Sequence, residues 1–392
     1  MSDSPAAAPA RGFPTSEFAD RTARAQRMMA ADGLSGILIT TEPEVRYFTG
    51  FQTLFWQSPA RPWFVFVPVD GKPIAVIPEI GAALMARTWI DDIRTWSAPA
   101  PDDDGISLLR DLLAPLARDG ARIGVPKGHE THLRMPLGDY ERLMSQLPGL
   151  QVADATPLIR ALRMVKSPAE VEKIAHICAI ASETFAMLPG LVSEGTPLIE
   201  IFRTFRRAAL ANGADEVPYL VGGAGQGGYA DVISPPDDRP LRGGDVLMLD
   251  TGCVWDGYFC DFDRNFAIGD ADEQAKAAHS VLWEATERGM EAARPGATCS
   301  DVFDAMQGVI SRINPESGAV GRLGHGLGMQ LTEWPSLTPD DRTELAEGMV
   351  LTLEPSVSFG DGLMLVHEEN IVITAGAPRL LTARASASLP VI

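Results

Sequence analysis

Five side chains of the kinds that bind metal ions lie between residues 246 and 369, each in an apolar or glycine-rich stretch. They are Asp250, Asp261, His325, Glu354 and Glu368. An ionised carboxylate beside strand-like apolar residues is costly unless it is paired or binds a metal. Four carboxylates and one imidazole are suitable ligands for an oxygen-rich dinuclear site. The sequence therefore predicts a metal centre.

Turn signals indicate how these side chains come together. An Asp-Gly pair lies between Asp250 and Asp261, and Gly-Asp-Gly lies between Glu354 and Glu368. Two strands folded back at each turn would carry one acid on each arm of a hairpin. His325 stands among glycines, which let the backbone approach a ligand closely. Any one of the five alone is more often a satisfied core residue, but the joint pattern favours a site.

The rest of the chain divides into a tail and two predicted domains. At 392 residues the chain is too long for one ordinary core. Residues 1–15 are rich in Ala, Pro and Ser and are predicted to be a disordered tail. Residues 16–160 alternate helical and strand patterns, with an Asp70-Gly71 hairpin turn. A capping box formed by Ser167 and Glu170 starts a new helix, so residues 161–392 are predicted to form the second domain.

The second domain is predicted to have two similar halves that meet near residues 267–272. Helices are expected at 167–188, 196–212, 272–293 and 299–312, and strands at 218–222, 245–251, 258–266, 350–358 and 363–374. Residues 222–228 are glycine-rich but lack the Lys-Ser/Thr of a phosphate-binding P-loop. We expect them to form a loop that lines the pocket.

Composition excludes several classes of partner. The chain has 33 Lys+Arg and 52 Asp+Glu, a net charge of −19, which argues against nucleic acid and anionic membranes. No apolar run approaches the ~20 residues of a membrane span, and the N-terminus has no signal-peptide core. The four cysteines form no CxxC pair. We therefore expect a cytoplasmic protein with free thiols.

Taken together, the motifs resemble those of the creatinase/prolidase/methionine aminopeptidase superfamily. The matching segments are residues 250–264, 324–328, 348–355 and 368–374, with 163–170 and 47–50 outside the central cluster. The resemblance covers nearly the whole chain. It implies an α+β protein in which a C-terminal pita-bread domain follows a smaller α/β creatinase-type N-terminal domain.

The resemblance also implies a ligand set. In metal-dependent members two divalent ions occupy the site, so Asp250 would bind one ion, Asp261 and Glu368 would bridge both, and His325 and Glu354 would complete the other site. Such ions supply a nucleophile at neutral pH and polarise the scissile carbonyl. The oxygen-rich ligands favour Mn²⁺, with Fe²⁺, Co²⁺ and Zn²⁺ as alternatives. All five positions are filled, unlike in the creatinases, which work without metal.

Further residues are predicted to act on the substrate. Glu354 is expected to shuttle protons, and Tyr219, Thr332 and Arg264 to contact substrate. Family members are homodimers whose N-terminal domain covers the partner's site, so Trp56 is predicted to belong to a lid or else to be an ordinary core aromatic.

The sequence departs from the peptidases of the family at three positions. Two histidines that usually bind the substrate carbonyl are replaced by Thr332 and by Val232, beside Asp231. Losing such donors commonly costs ~10²-fold or more in rate. Asp263 stands where Thr is usual, and is predicted to be an extra ligand, a general base or an anchor for a cationic group. The alternative is an ion pair with Arg264 or another basic residue.

Three functions follow as hypotheses. The first is a dinuclear metallohydrolase, Xaa-Pro peptidase-like or prolidase-like, that cleaves an amide C–N bond in a dipeptide or small peptide-like substrate. The second is a lyase or hydrolase that acts on a small osmolyte of sulfonium or cyclic amidine type at the same site. The third is a non-catalytic binding protein, as some relatives of this fold are.

Overall fold

The computed structural model describes residues 7–58, 61–314, 321–360 and 362–392. Contacts divide the chain into two units, Ala10–Arg163 and Met164–Ile392. Residues 1–6 of the predicted tail and Asp361 of the second predicted turn lie outside the described residues. Residues 7–14 form no helix or strand. Among the described residues, none of the helices is both long and apolar enough to cross a membrane.

The N-terminal unit is an α/β domain built on one mixed sheet. Its helices are α1 (Thr15–Ala31), α2 (Glu42–Thr49), α3 (Ala82–Met85), α4 (Ile106–Arg118), α5 (Leu137–Gln146) and α6 (Thr156–Met164). Its strands are β1 (Gly36–Ile39), β2 (Phe64–Pro68), β3 (Ile74–Pro78), β4 (Asp92–Trp96), β5 (Arg122–Val125) and β6 (Gln151–Asp154), in the order β4-β3-β2-β1-β5-β6. The predicted hairpin at Asp70-Gly71 joins the antiparallel pair β2–β3.

The C-terminal unit has two halves, each with a helix pair followed by antiparallel strands. The helices are α7 (Pro168–Met187), α8 (Leu198–Ala211), α9 (Glu273–Ala292) and α10 (Cys299–Ile310), all within two residues of the predicted ends. The first half adds β7 (Glu216–Gln226), β8 (Asp245–Trp255), β9 (Tyr258–Phe259) and β10 (Phe262–Ala267). The second adds β11 (Gly324–Gly326), β12 (Glu333–Ser336), β13 (Val350–Leu353), β14 (Ser356–Phe359), β15 (Leu363–Val366), β16 (Glu369–Val372) and β17 (Arg379–Leu380).

Two main sheets carry these strands. One has the order β10-β8-β7 with β9 on β8, the other the order β12-β11-β13-β16-β17, and β14–β15 is a separate hairpin. Helices α9 and α10 share one apolar core with the second sheet. This core includes Leu282, Met306, Leu351, Leu353 and Ile371. One face of the second sheet is buried in this core. Because side chains alternate along a strand, the residues between the core residues point to the opposite face of the sheet.

Three strands that were predicted to be continuous are interrupted, and each break holds a predicted ligand. The breaks fall at Asp261 between β9 and β10, at Glu354 between β13 and β14, and at Glu368 between β15 and β16. The prediction of continuous strands was wrong because the alternation of apolar residues does not show where the backbone stops pairing with the neighbouring strand. Pro355, directly after Glu354, has no N–H to give to a ladder.

Residues 222–226 were predicted to be a loop, and this was wrong. They form the end of β7, where Gly222 pairs with Leu249 of β8. A Cβ at Gly222 would lie 2.1 Å from the carbonyl oxygen of Met248, so the strands approach too closely for a side chain. The glycines therefore permit close strand packing rather than a mobile turn.

The predicted capping box at the start of α7 is present, and one of its residues also contacts the strand that leads to Asp261. The Ser167 N–H donates to Glu170 Oε2 at 2.9 Å, and the Glu170 N–H donates to Ser167 Oγ at 3.3 Å. The second carboxylate oxygen of Glu170 accepts from the Tyr258 hydroxyl at 2.9 Å. Because Tyr258 begins β9, this local helix signal also anchors the strand that leads to Asp261.

Candidate metal centre

Three of the predicted ligands form a compact cluster of carboxylates. Asp250, Asp261 and Glu368 each bring one oxygen within 4.8 Å of the others. Their exposed fractions are 9%, 4% and 6%. Asp250 Oδ1 and Glu368 Oε2 are buried and accept no hydrogen bond. Buried anionic oxygens without partners are costly, so this donor set suits a divalent cation.

His325 and Glu354 lie at the edge of this cluster. His325 Nε2 is 3.2 Å from Asp261 Oδ2 and 3.4 Å from Glu354 Oε2. The other ring nitrogen, Nδ1, is 2.8 Å from the carbonyl oxygen of Gly326. A proton on Nδ1 donated to that carbonyl leaves Nε2 facing the carboxylates, the usual arrangement of a metal-binding histidine.

Strand register explains the convergence of the acids. On β8 and β10, Asp250 pairs directly with Asp263, which leaves Asp261 one step beyond the end of β10. The hairpin predicted between Glu354 and Glu368 forms, with Ser356 of β14 paired to Val366 of β15. Glu354 and Glu368 therefore leave the two arms at the same open end.

The backbone of Asp261 is held from the second sheet. Its N–H donates to Asn370 Oδ1 at 3.0 Å, and its carbonyl oxygen accepts from Asn370 Nδ2 at 2.5 Å and from Thr352 Oγ1 at 3.0 Å. Neighbours Leu351 and Ile371 enter the core, so strand alternation turns Thr352 and Asn370 to the opposite face. The sequence motif contained Asn370, but its role was missed because the partner is distant in sequence.

Burial and mutual repulsion raise the pKa values of the carboxyl groups. Burial, followed by neighbouring carboxylates, raises the pKa of Asp250 and of Glu368 well above the usual range. Burial raises the pKa of Asp261 to about 6. Burial alone would lower the pKa of His325, but Glu354 and Asp261 outweigh it and raise the pKa to about 10. Without a cation the cluster retains protons at neutral pH, and a divalent ion would displace them.

Asp263 lies beside the cluster with one oxygen unused. It is 1% exposed. Its Oδ2 accepts from Asn265 Nδ2 at 2.7 Å, and its Oδ1 has no partner. Burial raises its pKa to about 8. Arg264 donates to the main-chain oxygen of Asp263, at 2.6 Å, and the alternative of an ion pair between the side chains is not observed.

Arg264 is directed away from the cluster. Its Nη2 donates to Glu369 Oε2 at 3.0 Å, and its Nη1 donates to the carbonyl oxygen of Glu368 at 2.9 Å. Successive strand residues face opposite sides, so Asp263 and Arg264 separate. His367 also points away, with Nδ1 3.0 Å from Thr286 Oγ1. The guanidinium of Arg264 thus hydrogen-bonds to other parts of the protein. This geometry gives no support to the predicted contact between Arg264 and substrate.

Tyr219 lies close enough to the predicted ligand Asp250 to feel its charge, and Thr332 is connected to the predicted ligand Glu354 through Arg322. Burial, followed by the negative charge of Asp250, raises the pKa of the Tyr219 phenol. Thr332 Oγ1 accepts from Arg322 Nη2 at 3.4 Å, while Arg322 Nε donates to Glu354 Oε1 at 3.2 Å. Sequence reasoning missed Arg322. The available signal was a basic residue just ahead of the glycine-rich His325 motif.

The remaining predicted positions do not join the cluster through any contact described. Val232 packs against the apolar core of the second half, so the histidine usual there is replaced by a core residue. Asp231 accepts from the backbone N–H of Ile233 within its own turn. Trp56 belongs to the N-terminal unit, where its ring centroid is 5.9 Å from that of Trp63. Its predicted role as a substrate lid stays a prediction.

Comparison with known proteins places this geometry in a family. Residues 172–375 match the model of metallopeptidase family M24, and residues 21–165 match the creatinase/prolidase N-terminal domain. A probable dipeptidase PepE from Mycobacterium tuberculosis is 28% identical over 382 residues, covering 95% of this chain and 98% of that protein. An Xaa-Pro dipeptidase from Pyrococcus horikoshii is 26% identical over 250 residues, covering 63% of this chain and 71% of that protein.

A solved structure agrees with the family match. The crystal structure of dipeptidase PepE from Mycobacterium ulcerans superimposes with a TM-score of 0.83 at 27% identity, covering 97% of this chain and 99% of that one. The fold predicted from the motifs is confirmed: a creatinase-type domain comes first in the chain and a pita-bread domain follows it. Because the M24 match spans more than half of the chain and includes the whole carboxylate–histidine cluster, this protein belongs to metallopeptidase family M24.

Proposed function

We propose that this protein is a metal-dependent hydrolase that cleaves the amide bond of a dipeptide or small peptide-like substrate, with Xaa-Pro dipeptides as the first candidates. The observation that carries the proposal is the convergence of Asp250, Asp261 and Glu368 on one point, with buried oxygens that lack partners. The dipeptidase and Xaa-Pro dipeptidase names of the relatives support the substrate class.

The three clustered carboxylates, together with His325 and Glu354 at their edge, would hold two divalent ions. Asp250 would bind one ion, Asp261 and Glu368 would bridge, and His325 and Glu354 would complete the second site. When bound, such ions supply a nucleophile at neutral pH and polarise the scissile carbonyl. The oxygen-rich set favours Mn²⁺. A homodimer in the cytoplasm is part of the proposal.

Glu354 is the best placed of the acids to move a proton. It is 19% exposed, the most open of the five predicted ligands, and its Oε1 accepts from Arg322. Burial opposes ionisation, but His325 and Arg322 hold the pKa of Glu354 below its ordinary value. Glu354 is therefore ionised at neutral pH and accepts a proton from the attacking water. It then returns that proton to the departing amide nitrogen.

Among the three predicted roles of Asp263, the extra ligand has the strongest support. The side chain is 1% exposed, which disfavours direct contact with a cationic substrate group. Its unpartnered Oδ1 and its place opposite Asp250 put another carboxyl oxygen beside the ion-binding carboxylates. Asp263 would thus strengthen cation binding rather than take protons from substrate.

Two alternatives have weaker support. Membership of a metallopeptidase family favours hydrolysis over lyase chemistry on a sulfonium osmolyte. A non-catalytic binding protein would have no need to keep all five predicted ligands close together. The absence of histidines at Val232 and Thr332 leads us to expect slower turnover than in relatives that keep them, by ~10²-fold for each lost donor.

The test combines metal analysis with a substrate panel. Purified protein should contain about two transition-metal ions per chain by plasma mass spectrometry, as expected for a dinuclear site. Mn²⁺-loaded protein should release free amino acids from Xaa-Pro dipeptides, while Asp261→Ala should bind no metal and be inactive. Release of an alkene from a sulfonium osmolyte, or inertness of the fully loaded protein towards every dipeptide, would overturn the proposal. Light scattering would report the dimer.

A further inference from the structure

The two carboxylates that are predicted to bridge the ions come from different sheets of the C-terminal unit. Asp261 directly precedes β10 in the first sheet, and Glu368 directly precedes β16 in the second. Among the strands of the described residues, none of the first sheet pairs with any of the second. No backbone ladder therefore sets the distance between Asp261 and Glu368. That distance depends on side chains that pack or hydrogen-bond across the boundary between the sheets.

The guanidinium of Arg264 hydrogen-bonds to the backbone on both sides of this boundary. From β10, its Nη1 donates to the carbonyl oxygen of Asp263 at 2.6 Å and to that of Glu368 at 2.9 Å. Its Nη2 donates to Glu369 Oε2 at 3.0 Å and to the carbonyl oxygen of Ala383 at 2.5 Å. A guanidinium holds its donors in one rigid plane. Arg264 therefore fixes the backbone of Glu368 relative to β10.

Two neighbours hold this guanidinium in its orientation. Glu369 is 0% exposed, and while its Oε2 accepts from Arg264, its Oε1 accepts from Arg384 Nη1 at 3.0 Å and from the Ala385 N–H at 2.8 Å. The buried ring of Phe262 has its centroid 4.6 Å from the guanidinium carbon of Arg264. Glu369 is thus a fixed anchor, and the aromatic face limits movement of the guanidinium.

A buried ion pair stabilises a fold little better than apolar side chains of the same shape would, so Arg264 and Glu369 are better explained by a geometry that they fix. We propose that Arg264 is a positioning residue, which sets the separation of Asp261 and Glu368 and thereby allows the second ion to bind. Ligands of a single ion can adjust around it, whereas a bridging carboxylate must reach two ions at once. This inference rests on the dinuclear site of the proposed function and gives Arg264 a role without contact to ion or substrate.

The experiment compares Arg264→Lys with Arg384→Lys. Lysine keeps the positive charge beside Glu369, but its donors share one atom and cannot replace the planar fork that reaches all four oxygens. Arg384 is the matched control, because it pairs with the other oxygen of Glu369 and is 19% exposed, compared with 11% for Arg264. Its described hydrogen bonds include none to the backbone of Asp263 or Glu368.

Binding of Mn²⁺ to metal-free protein is followed by titration calorimetry and by electron paramagnetic resonance. Wild type should bind two ions and give the exchange-coupled spectrum of neighbouring Mn²⁺ ions. Arg264→Lys should bind the first ion with nearly wild-type affinity and the second ~10- to 100-fold more weakly, as is typical when a group that orients metal ligands is changed. Its spectrum should remain that of isolated Mn²⁺ at two equivalents. Arg384→Lys should behave as wild type.

A purely structural role would give a different pattern. Equal weakening of both ions in Arg264→Lys, or the same loss in Arg384→Lys, would show that the whole fold has loosened and would overturn the positioning role. A coupled spectrum and wild-type affinities in Arg264→Lys would overturn it as well. If Arg264→Lys does not fold, Glu369→Gln takes its place, since it keeps the volume and weakens the anchor of Arg264. It should again weaken the second ion more than the first, and equal weakening rejects the proposal.

Failure of the proposed function is separable from failure of this inference. Hydrolysis of Xaa-Pro dipeptides is assayed on the same samples. If wild type binds two ions but cleaves no dipeptide, the hydrolase proposal falls, and the metal titrations of the variants still decide the role of Arg264. If wild type binds fewer than two ions, the dinuclear site and this inference are refuted together.

Discussion

Asp263 lies directly across the β8–β10 ladder from Asp250, so two acidic residues share one position of the sheet. They are 1% and 9% exposed, and each has an oxygen without a hydrogen-bond partner. Like charges directly opposite each other on a sheet are destabilising. A bound cation or a retained proton removes the repulsion, so this pair couples metal binding to protonation and to stability.

Asp263→Asn should weaken metal binding. The amide keeps the shape of the side chain and removes one negative charge beside the ligands. Changes in groups that support metal ligands typically cost 10- to 100-fold in affinity, and we expect ~10-fold here. Mn²⁺ titration calorimetry measures the effect, with Asp231→Asn on an exposed turn as control. Unchanged affinity with a large fall in kcat would instead assign Asp263 the role of a base.

Metal-free protein should become less stable as the pH rises from about 4 to about 8. Burial raises the pKa of Asp263 to about 8 and of Asp261 to about 6, above the ordinary value near 4. The unfolded chain therefore releases protons at lower pH than the folded chain, so the free energy of unfolding falls with pH in this window. His325 changes the free energy of unfolding in the same direction. Its pKa is raised to about 10, so its stabilising contribution is complete below pH 6.5 and is lost as the pH rises above that value.

Calorimetric melting in EDTA between pH 5 and pH 9 checks this dependence. Glu354 contributes with the opposite sign, since its lowered pKa gives stability that is lost only as the pH falls below its ordinary value near 4.3. Asp263→Asn should flatten the fall between pH 6 and pH 8, and saturating Mn²⁺ should reverse it. A melting temperature that rises through this window in metal-free wild type would contradict the expectation.

Asn370→Ala should disturb the site without removing a ligand. It deletes both hydrogen bonds to the backbone of Asp261 and leaves a buried N–H and part of a carbonyl's bonding unsatisfied. We expect a loss of ~1–3 kcal/mol in the free energy of unfolding and of ~10- to 100-fold in Mn²⁺ affinity. Urea denaturation and metal titration measure the two effects. Asn212→Ala, at the end of α8, should leave the metal affinity unchanged.

Arg264→Ala should be far more destabilising than Arg322→Ala. Arg264 is paired with fully buried Glu369, and breaking a buried pair by removing one partner costs ~3–5 kcal/mol. Remaining contacts of Glu369 with Arg384 place the expected loss at the lower end. Arg322→Ala, at a partly exposed site, should change the free energy of unfolding by ~1 kcal/mol or less. A stable Arg264→Ala protein with a raised KM would restore Arg264 as a substrate contact.

The sequence by itself determined the features that depend on near neighbours in the chain. The capping box of Ser167 and Glu170, the ends of α7 and α9, and the hairpin between Glu354 and Glu368 follow from caps, periodicity and turn residues. These signals act over a few residues and survive in any context. The acid and imidazole types of the cluster likewise indicated a metal centre before any geometry was known.

Only the tertiary structure decided how those residues are used. Three predicted strands are interrupted, at Asp261, Glu354 and Glu368, and the backbone of Asp261 is hydrogen-bonded to Asn370 of a different sheet. Arg264 donates a hydrogen bond to Glu369, whereas Arg322 donates one to Glu354. These outcomes depend on strand register and on which face of each sheet is buried. Both are properties of pairings between distant segments, and no local pattern in the chain encodes them.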